Sequence, residues 1–182
     1  EVWDLIGTTR LDPPAHALAF AANGERLVAA CKRGEEGRAW VIDVQSMTLV
    51  PLAGHQGRAV QALCVTVDGD RVWTAGADTS LCLSDVTTGR ELLRSWSPTR
   101  ALELLATPDG QRIVERGAGA LVQVHYAGSR PDAVFLSGHR GAVRLAGFAG
   151  VGAAQTIHSV DATGEARVYA VGTPAMSPAN LV

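Results

Sequence analysis

The groups in this 182-residue chain that could do chemistry are five histidines, three cysteines and a scatter of hydroxyls and carboxylates. Two histidines follow glycine, in Gly54-His55 and Gly138-His139. A histidine with an aspartate and a serine invites a hydrolase reading, so what matters is where such groups fall in the fold. Other chemistry is missing at the level of motif: there is no H-E-x-x-H, G-x-x-x-x-G-K or G-x-S-x-G. Cys31, Cys64 and Cys82 are an odd number without C-x-x-C spacing, which excludes a full disulfide framework and a zinc clip. Cys64 and Cys82 sit in strand-like runs, where cysteine is usually a small buried hydrophobe. Gly117 and Gly119 form a glycine-rich turn, but Leu121 to Val124 after it is a strand pattern, whereas a phosphate cradle needs a helix start.

The elements that must position these residues are short strands. From Gly54 to Trp96 the chain reads Val60 to Val67, the turn Asp68-Gly69, Arg71 to Gly76, then Leu81, Leu83, Ser84 and Asp85, and Thr88-Gly89 before Leu92-Leu93. Alternating apolar and polar residues between glycine-bearing turns predict four strands of one antiparallel sheet. Asn23-Gly24 and Asp109-Gly110 repeat the turn signal of Asp68-Gly69 in neighbouring repeats, and both residues of such pairs tolerate positive φ. Taking Asp4, Asp43, Asp85, Tyr126 and Ala170 as equivalent third-strand positions gives steps of 39, 42, 41 and 44 residues. The two Gly-His pairs, at 54 and 138, lie 84 apart, or two steps of 42.

This order of parts resembles the WD-repeat family, whose unit starts near Gly-His, closes its third strand near Trp-Asp and stacks radially into a propeller. The resemblance implies an all-β fold of four-stranded blades, about four of them, and a rigid platform for other proteins. It also implies that the Gly-His histidine bonds an Asp in the turn before the third strand, with a second-strand Ser or Thr and the third-strand Trp extending a buried polar chain. By position these are His55, Thr74 and Asp78 in the second repeat, with Ser84 in the Trp place. In the fourth repeat they are His139, Ser159 and Tyr169, while the Asp place falls on Thr163 with Asp161 nearby. Inside a blade edge the hydroxyl faces no cleft, so the expected role is structural and no catalytic residue is assigned. Arg58, Arg100 and Arg140 lie in turns leading into first strands, which in the family share one face around the central channel. Three guanidiniums there could take an acidic or phosphorylated segment, against the plainer reading of solvated loop residues offset by Glu35, Glu36 and Asp78.

Asp85-Val86-Thr87-Thr88-Gly89 also resembles the blade motif of quinone-dependent dehydrogenases, which are propellers as well. That motif expects a docking Trp four residues beyond its Gly, where Leu93 stands.

Charge and length bound the rest. With 16 basic against 18 acidic residues and 47% apolar content, neither nucleic acid nor an anionic membrane is favoured, and a core of ordinary size can form. No apolar run approaches the roughly 20 residues that span a bilayer. The expectation is therefore a cytoplasmic, non-catalytic protein-binding scaffold without cofactor or metal, one module of a larger signalling protein being one setting. The alternatives are a structural piece that completes a propeller with another chain, and a propeller enzyme. The organisation expected is a single propeller segment: residues 1–11 ending a preceding blade, full blades at 12–53, 54–97 and 98–137, a last blade at 138–171 lacking its outer strand, and a tail at 172–182. An outer strand at Thr8 to Leu11 could serve the last blade and close a four-bladed ring. Otherwise the exposed flanks require a longer chain or a homodimer.

Overall fold

The computed structural model describes residues 7–21, 24–107, 110–126, 133–150 and 155–170. They are all-β apart from a 3₁₀ turn at His55–Gly57. The first sheet joins β1 (Ala15–Phe20), β2 (Arg26–Arg33), β3 (Glu36–Asp43) and β4 (Leu49–Pro51) in that order. The second joins β5 (Val60–Val65), β6 (Arg71–Gly76), β7 (Ser80–Asp85) and β8 (Glu91–Trp96). The third joins β9 (Ala101–Ala106), β10 (Arg112–Gly117), β11 (Val122–Tyr126) and β12 (Ala133–Leu136). The fourth, three-stranded among the described residues, joins β13 (Val143–Ala149), β14 (Thr156–Asp161) and β15 (Ala166–Ala170). Every neighbouring pair is antiparallel, so each sheet is a meander of local hairpins.

Glycines at the first hairpins set the repeat. Gly24, Gly69 and Gly110 all have φ between +65° and +77°, and each donates its N–H to the carbonyl three residues back, on Ala21, Thr66 and Thr107. Glycine takes that left-handed conformation without a Cβ clash, so three ribbons bend alike. Asn23 and Asp109 lie outside the described residues. Cross-strand register shows that the third-strand positions chosen from sequence are equivalent: Asp43, Asp85, Tyr126 and Ala170 pair with the first residues of the second strands, Arg26, Arg71, Arg112 and Thr156. The charged hairpin through Lys32, Arg33, Glu35 and Glu36 is tight. Pairing continues to Arg33 and Glu36, because exposed side chains do not prevent a ladder and Gly34 at φ +64° makes the tight turn.

The core lies between sheets. Val28, Ala30, Ala39 and Val41 of the first pack on Val60, Val72 and Val86 of the second. Trp73, Ala75, Leu81 and Leu83 meet Ala101, Leu104 and Ile113 of the third, and Val114, Val122 and Val124 meet Val143 and Ile157 of the fourth. Middle strands are thus covered on both faces, which is why β6 and β7 read as nearly unbroken apolar runs. Each fully buried Val, Leu or Ile among them contributes about 1.5–3 kcal/mol.

Two expectations are corrected here. Thr8 to Leu11 form no strand, and Leu11 instead packs beside Leu27, Trp40 and Leu49 on the outer face of the first sheet. Nor do the first and last sheets close on one another in a four-bladed ring. Leu18 and Phe20 on one flank remain 58% and 63% exposed, and Leu145 and Val168 on the other 66% and 61%. Trp3-Asp4 and the tail at 172–182 lie outside the described residues.

Candidate functional site: three buried polar ties and an arginine rim

Gly54 has φ +111°, and a Cβ there would press on Cys82 Sγ and Glu91 Oε2, so only glycine brings the chain into this turn. His55 and Gln56 follow at φ 52° and 44°, conformations that cost non-glycine residues about 1–3 kcal/mol each. The strain is offset by what it achieves, the insertion of a nearly fully buried imidazole. His55 Nδ1 lies 3.1 Å from Asp78 Oδ1 and 2.9 Å from Ser80 Oγ, and Nε2 lies 2.9 Å from Thr74 Oγ1. A carboxylate only accepts, so Nδ1 carries the proton to Asp78, and the neutral ring accepts the Thr74 hydroxyl at Nε2. The three residues expected from sequence are therefore brought together.

Ser84 is not part of this tie. Among the described residues its buried hydroxyl has no hydrogen-bond partner. Ser80, which sequence reading missed, takes its place by donating to both Asp78 oxygens at 2.8 and 2.9 Å. The signal was present as Asp-x-Ser, a hydroxyl two residues beyond a turn aspartate.

The fourth sheet repeats the arrangement. His139 Nδ1 lies 3.2 Å from Asp161 Oδ2 and Nε2 lies 2.6 Å from Ser159 Oγ. The carboxylate position is thus Asp161 and not Thr163, which instead donates its hydroxyl and its N–H to Asp161 at 2.6 and 2.8 Å. Asp-x-Thr here matches Asp-x-Ser above. Tyr169, in the Trp place, donates to Ser137 O at 3.3 Å.

The third sheet carries a tie that sequence reading did not find. Fully buried Glu115 accepts from Ser97 Oγ at 2.6 Å and from His125 Nε2 at 2.8 Å, and Gln123 Nε2 reaches Ser97 Oγ and Thr99 Oγ1 at 3.3 and 3.2 Å. With no Gly-His in this repeat, nothing in local composition marked it. By strand register Glu115 occupies the place of Thr74, and His125 that of Ser84.

Electrostatics tie these clusters to pH. Burial holds His55 below the usual histidine range despite Asp78. Burial pushes Asp78 up, but hydrogen bonds from Ser80 and His55 outweigh it and leave the carboxyl below its usual value. Hydrogen bonds from Thr163, Gly141 and Glu165 hold Asp161 well below it. In all three cases the unfolded chain binds the proton more readily, so stability is lost as the pH is lowered. Melting temperature is expected to be flat above about pH 7, to decline below about 6.5 as unfolded His55 protonates, and to drop faster below about 4 as the carboxylates do. Thermal melts from pH 8 to 3 check this, and His55→Gln should flatten only the upper limb. Burial raises the cysteines as well, Cys64 to about 12 and Cys82 to about 11, leaving them as unreactive thiols.

The Asp85 motif has a local explanation. Asp85 Oδ1 accepts from the N–H groups of Thr87 and Thr88 and the Thr88 hydroxyl, at 3.0, 2.7 and 2.8 Å, with Gly89 at φ +70°. Asp43 builds the same turn with Gln45 and Ser46, Met47 standing at φ 57°. The motif is a turn device repeated in two sheets.

Arg58, Arg100 and Arg140 are all exposed. Arg100 is engaged with Glu35, one guanidinium nitrogen lying 2.8 Å from both carboxylate oxygens. Glu35 belongs to the hairpin of the first sheet and Arg100 leads into the third, so these turns converge. Arg100, with Arg58 adding its charge, holds the Glu35 carboxyl below the usual range. Arg140 makes no described side-chain contact with the other two.

Fold and ties together define a stack of four-stranded antiparallel sheets of the kind found in propeller blades. No protein-family profile matches the chain. It is similar to Protein groucho of Drosophila melanogaster, a WD-repeat protein, at 27% identity over 161 residues, covering 83% of this chain and 21% of groucho. The chain thus spans about a fifth of the length of that relative. Among the described residues no helix is long and apolar enough to cross a membrane.

Proposed function

We propose that the chain is a WD-repeat propeller segment and serves as a non-catalytic scaffold for a protein partner. The observation that carries this is the recurrence of the Gly-His tie in two sheets, with imidazole, carboxylate and hydroxyl in the same order and at nearly the same distances. In each case the polar groups are spent on one another inside the sheet edge, which suits a rigid platform. The likeness to groucho supports the same reading.

The partner-binding surface in this reading is the arginine rim, and the partner an acidic or phosphorylated segment. Glu35 already occupies Arg100 in the manner of such a ligand, which leaves Arg58 and Arg140 to capture the segment before it displaces Glu35. Exposed pairs of this kind hold weakly, so displacement costs little. The test is fluorescence anisotropy with a labelled phosphoserine-glutamate peptide. Replacing Arg58, Arg100 and Arg140 by alanine should weaken binding by about tenfold or more, equivalent to about 1.4 kcal/mol, with the melting temperature unchanged. Glu35→Gln should tighten it. Equal binding by the triple variant discards the rim.

A further inference from the structure

In three of the sheets the hairpin between second and third strands stops at one register, the last pairs being Ala75 with Leu81, Arg116 with Val122 and Val160 with Ala166. Among the described residues only β2 and β3 run on. Past the equivalent pair, Ala30 with Ala39, they add Cys31 with Arg38, Lys32 with Gly37 and Arg33 with Glu36. The extension lands on the entry to the second sheet, where Ala59 donates its N–H to Glu35 O at 2.8 Å and Glu36 bridges to Arg58. Gly37 permits the approach, since a Cβ there would collide with Cys31 O and Ala59 Cα. Cations from three sheets are thereby gathered around one carboxylate. Arg100, leading into the third sheet, spends a single guanidinium nitrogen on both Glu35 oxygens, and the charges of Arg58 and Lys32 act on the same carboxyl. Lys32 is half-buried, and its ammonium donates to Gln61 Oε1 at 3.1 Å. The other acids of this hairpin are engaged on its far strand and flank: Glu36 stands opposite Arg33, and Asp12 takes the Arg33 guanidinium at 2.7 Å.

We propose, building on the arginine rim as the partner-binding surface, that Lys32, Arg58 and Arg100 form a pocket for one phosphorylated residue of the partner segment, with Glu35 as the monoanion that holds its place. The Glu35 side chain is 60% exposed, so it turns out to solvent while the hairpin backbone stays paired. Three cations then surround the place of one oxyanion. A phosphomonoester brings close to two negative charges at neutral pH and three terminal oxygens, more of both than the carboxylate it displaces. Arginine meets such a group with paired N–H donors, and lysine meets it as a point charge. The pocket therefore prefers phosphoserine to glutamate. Lys32, which sequence reading did not place on the rim, sets that preference, and Arg140 lies outside the pocket.

Fluorescence anisotropy tests this with two labelled peptides that share a glycine-serine background and carry either one phosphoserine or one glutamate at the same place. The wild-type chain should bind the phosphoserine peptide at least about tenfold more tightly. Lys32→Ala should weaken that peptide by about fivefold or more and narrow the preference, Lys32→Arg should keep most of it, and neither should move the melting temperature. Arg140→Ala should leave the preference as it is. Equal binding of the two peptides by wild type, with both lost in the Arg58, Arg100 and Arg140 triple variant, would leave the rim standing and overturn the pocket. A preference that survives Lys32→Ala unchanged would overturn the role of Lys32. Binding of neither peptide, to wild type or to Glu35→Gln, would overturn pocket and rim together. Sedimentation with vesicles containing a phosphoinositide should leave the chain in the supernatant, and pelleting by a chain that ignores the peptides would assign the pocket to a lipid headgroup instead.

Discussion

Glu115→Ala is expected to lower the unfolding free energy by about 3–5 kcal/mol, the cost of removing one member of a buried charged cluster. The carboxylate is fully buried and accepts from Ser97 and His125, while Gln123 holds the same turn beside it. Deleting it strands several polar groups that already have little to spare. Among the described residues His125 Nδ1 and Gln123 Oε1 lack partners even in the intact cluster. Urea denaturation measures the loss, and a change below about 1 kcal/mol would show that the cluster is not holding the turn at Ser97–Thr99. A sharper comparison replaces the whole cluster by apolar residues, Ser97→Ala, Glu115→Leu, Gln123→Leu and His125→Phe. Much of the loss should return, because no buried charge is then left unpaired, the remainder being the bonds that Thr99 makes to Ser97 and Gln123.

The second large effect is expected at Gly76. A Cβ there would collide with Asp78 Oδ1 and His55 Nδ1. Gly76→Ala should therefore cost about 2–4 kcal/mol, combining overpacking with the loss of a buried hydrogen bond. Comparison of the sheets explains why the space is full. By register Gly76 pairs with Val60 as Asp161 pairs with Val143, so the carboxylate of the fourth sheet grows from the position that is glycine in the second. In the third sheet Gly117 holds that position and the carboxylate comes from Glu115, two residues earlier on the same strand. The carboxylate of the tie thus starts from three different points on the strands, and beside Gly117 the space that Asp78 fills next to Gly76 is taken by Thr99 Oγ1. The corresponding test is transplantation. Gly76→Asp with Asp78→Ala should be more stable than Gly76→Ala, since the new carboxylate can reach the imidazole as Asp161 reaches His139. If the double variant is no better, the equivalence is geometric coincidence.

That shift of position also marks how far the sequence could be read. Strand order, the hairpin glycines and the third-strand period follow from local rules, alternation and positive φ, and Arg71–Gly76 was legible to the residue. The second-sheet tie was legible because Gly-His, Thr74 and Asp78 each keep a fixed place in the chain. Asp161 was misplaced by counting residues, since what is held constant is the location of the charge and not its number in sequence. Glu115 was invisible for the same reason, with the added difficulty that a glutamate in a strand looks like a solvated one. Ser84 failed in the opposite sense: its position was right, but its hydroxyl is not part of the tie. The exposure of Leu18, Phe20, Leu145 and Val168 was not legible, because exposure is a property of the assembled stack.

The migrating carboxylate restricts how one version of the tie can turn into another during descent. An ancestor carrying both Gly76→Asp and the original Asp78 would crowd two anions around a single imidazole, which would have to take up a second proton at neutral pH and give up its acceptance of the Thr74 hydroxyl. Passage between the two layouts is therefore easiest through a form with neither acid, where the histidine is held by hydroxyls alone. Blades of this lineage that keep Gly-His beside neutral residues are the expected stepping stones.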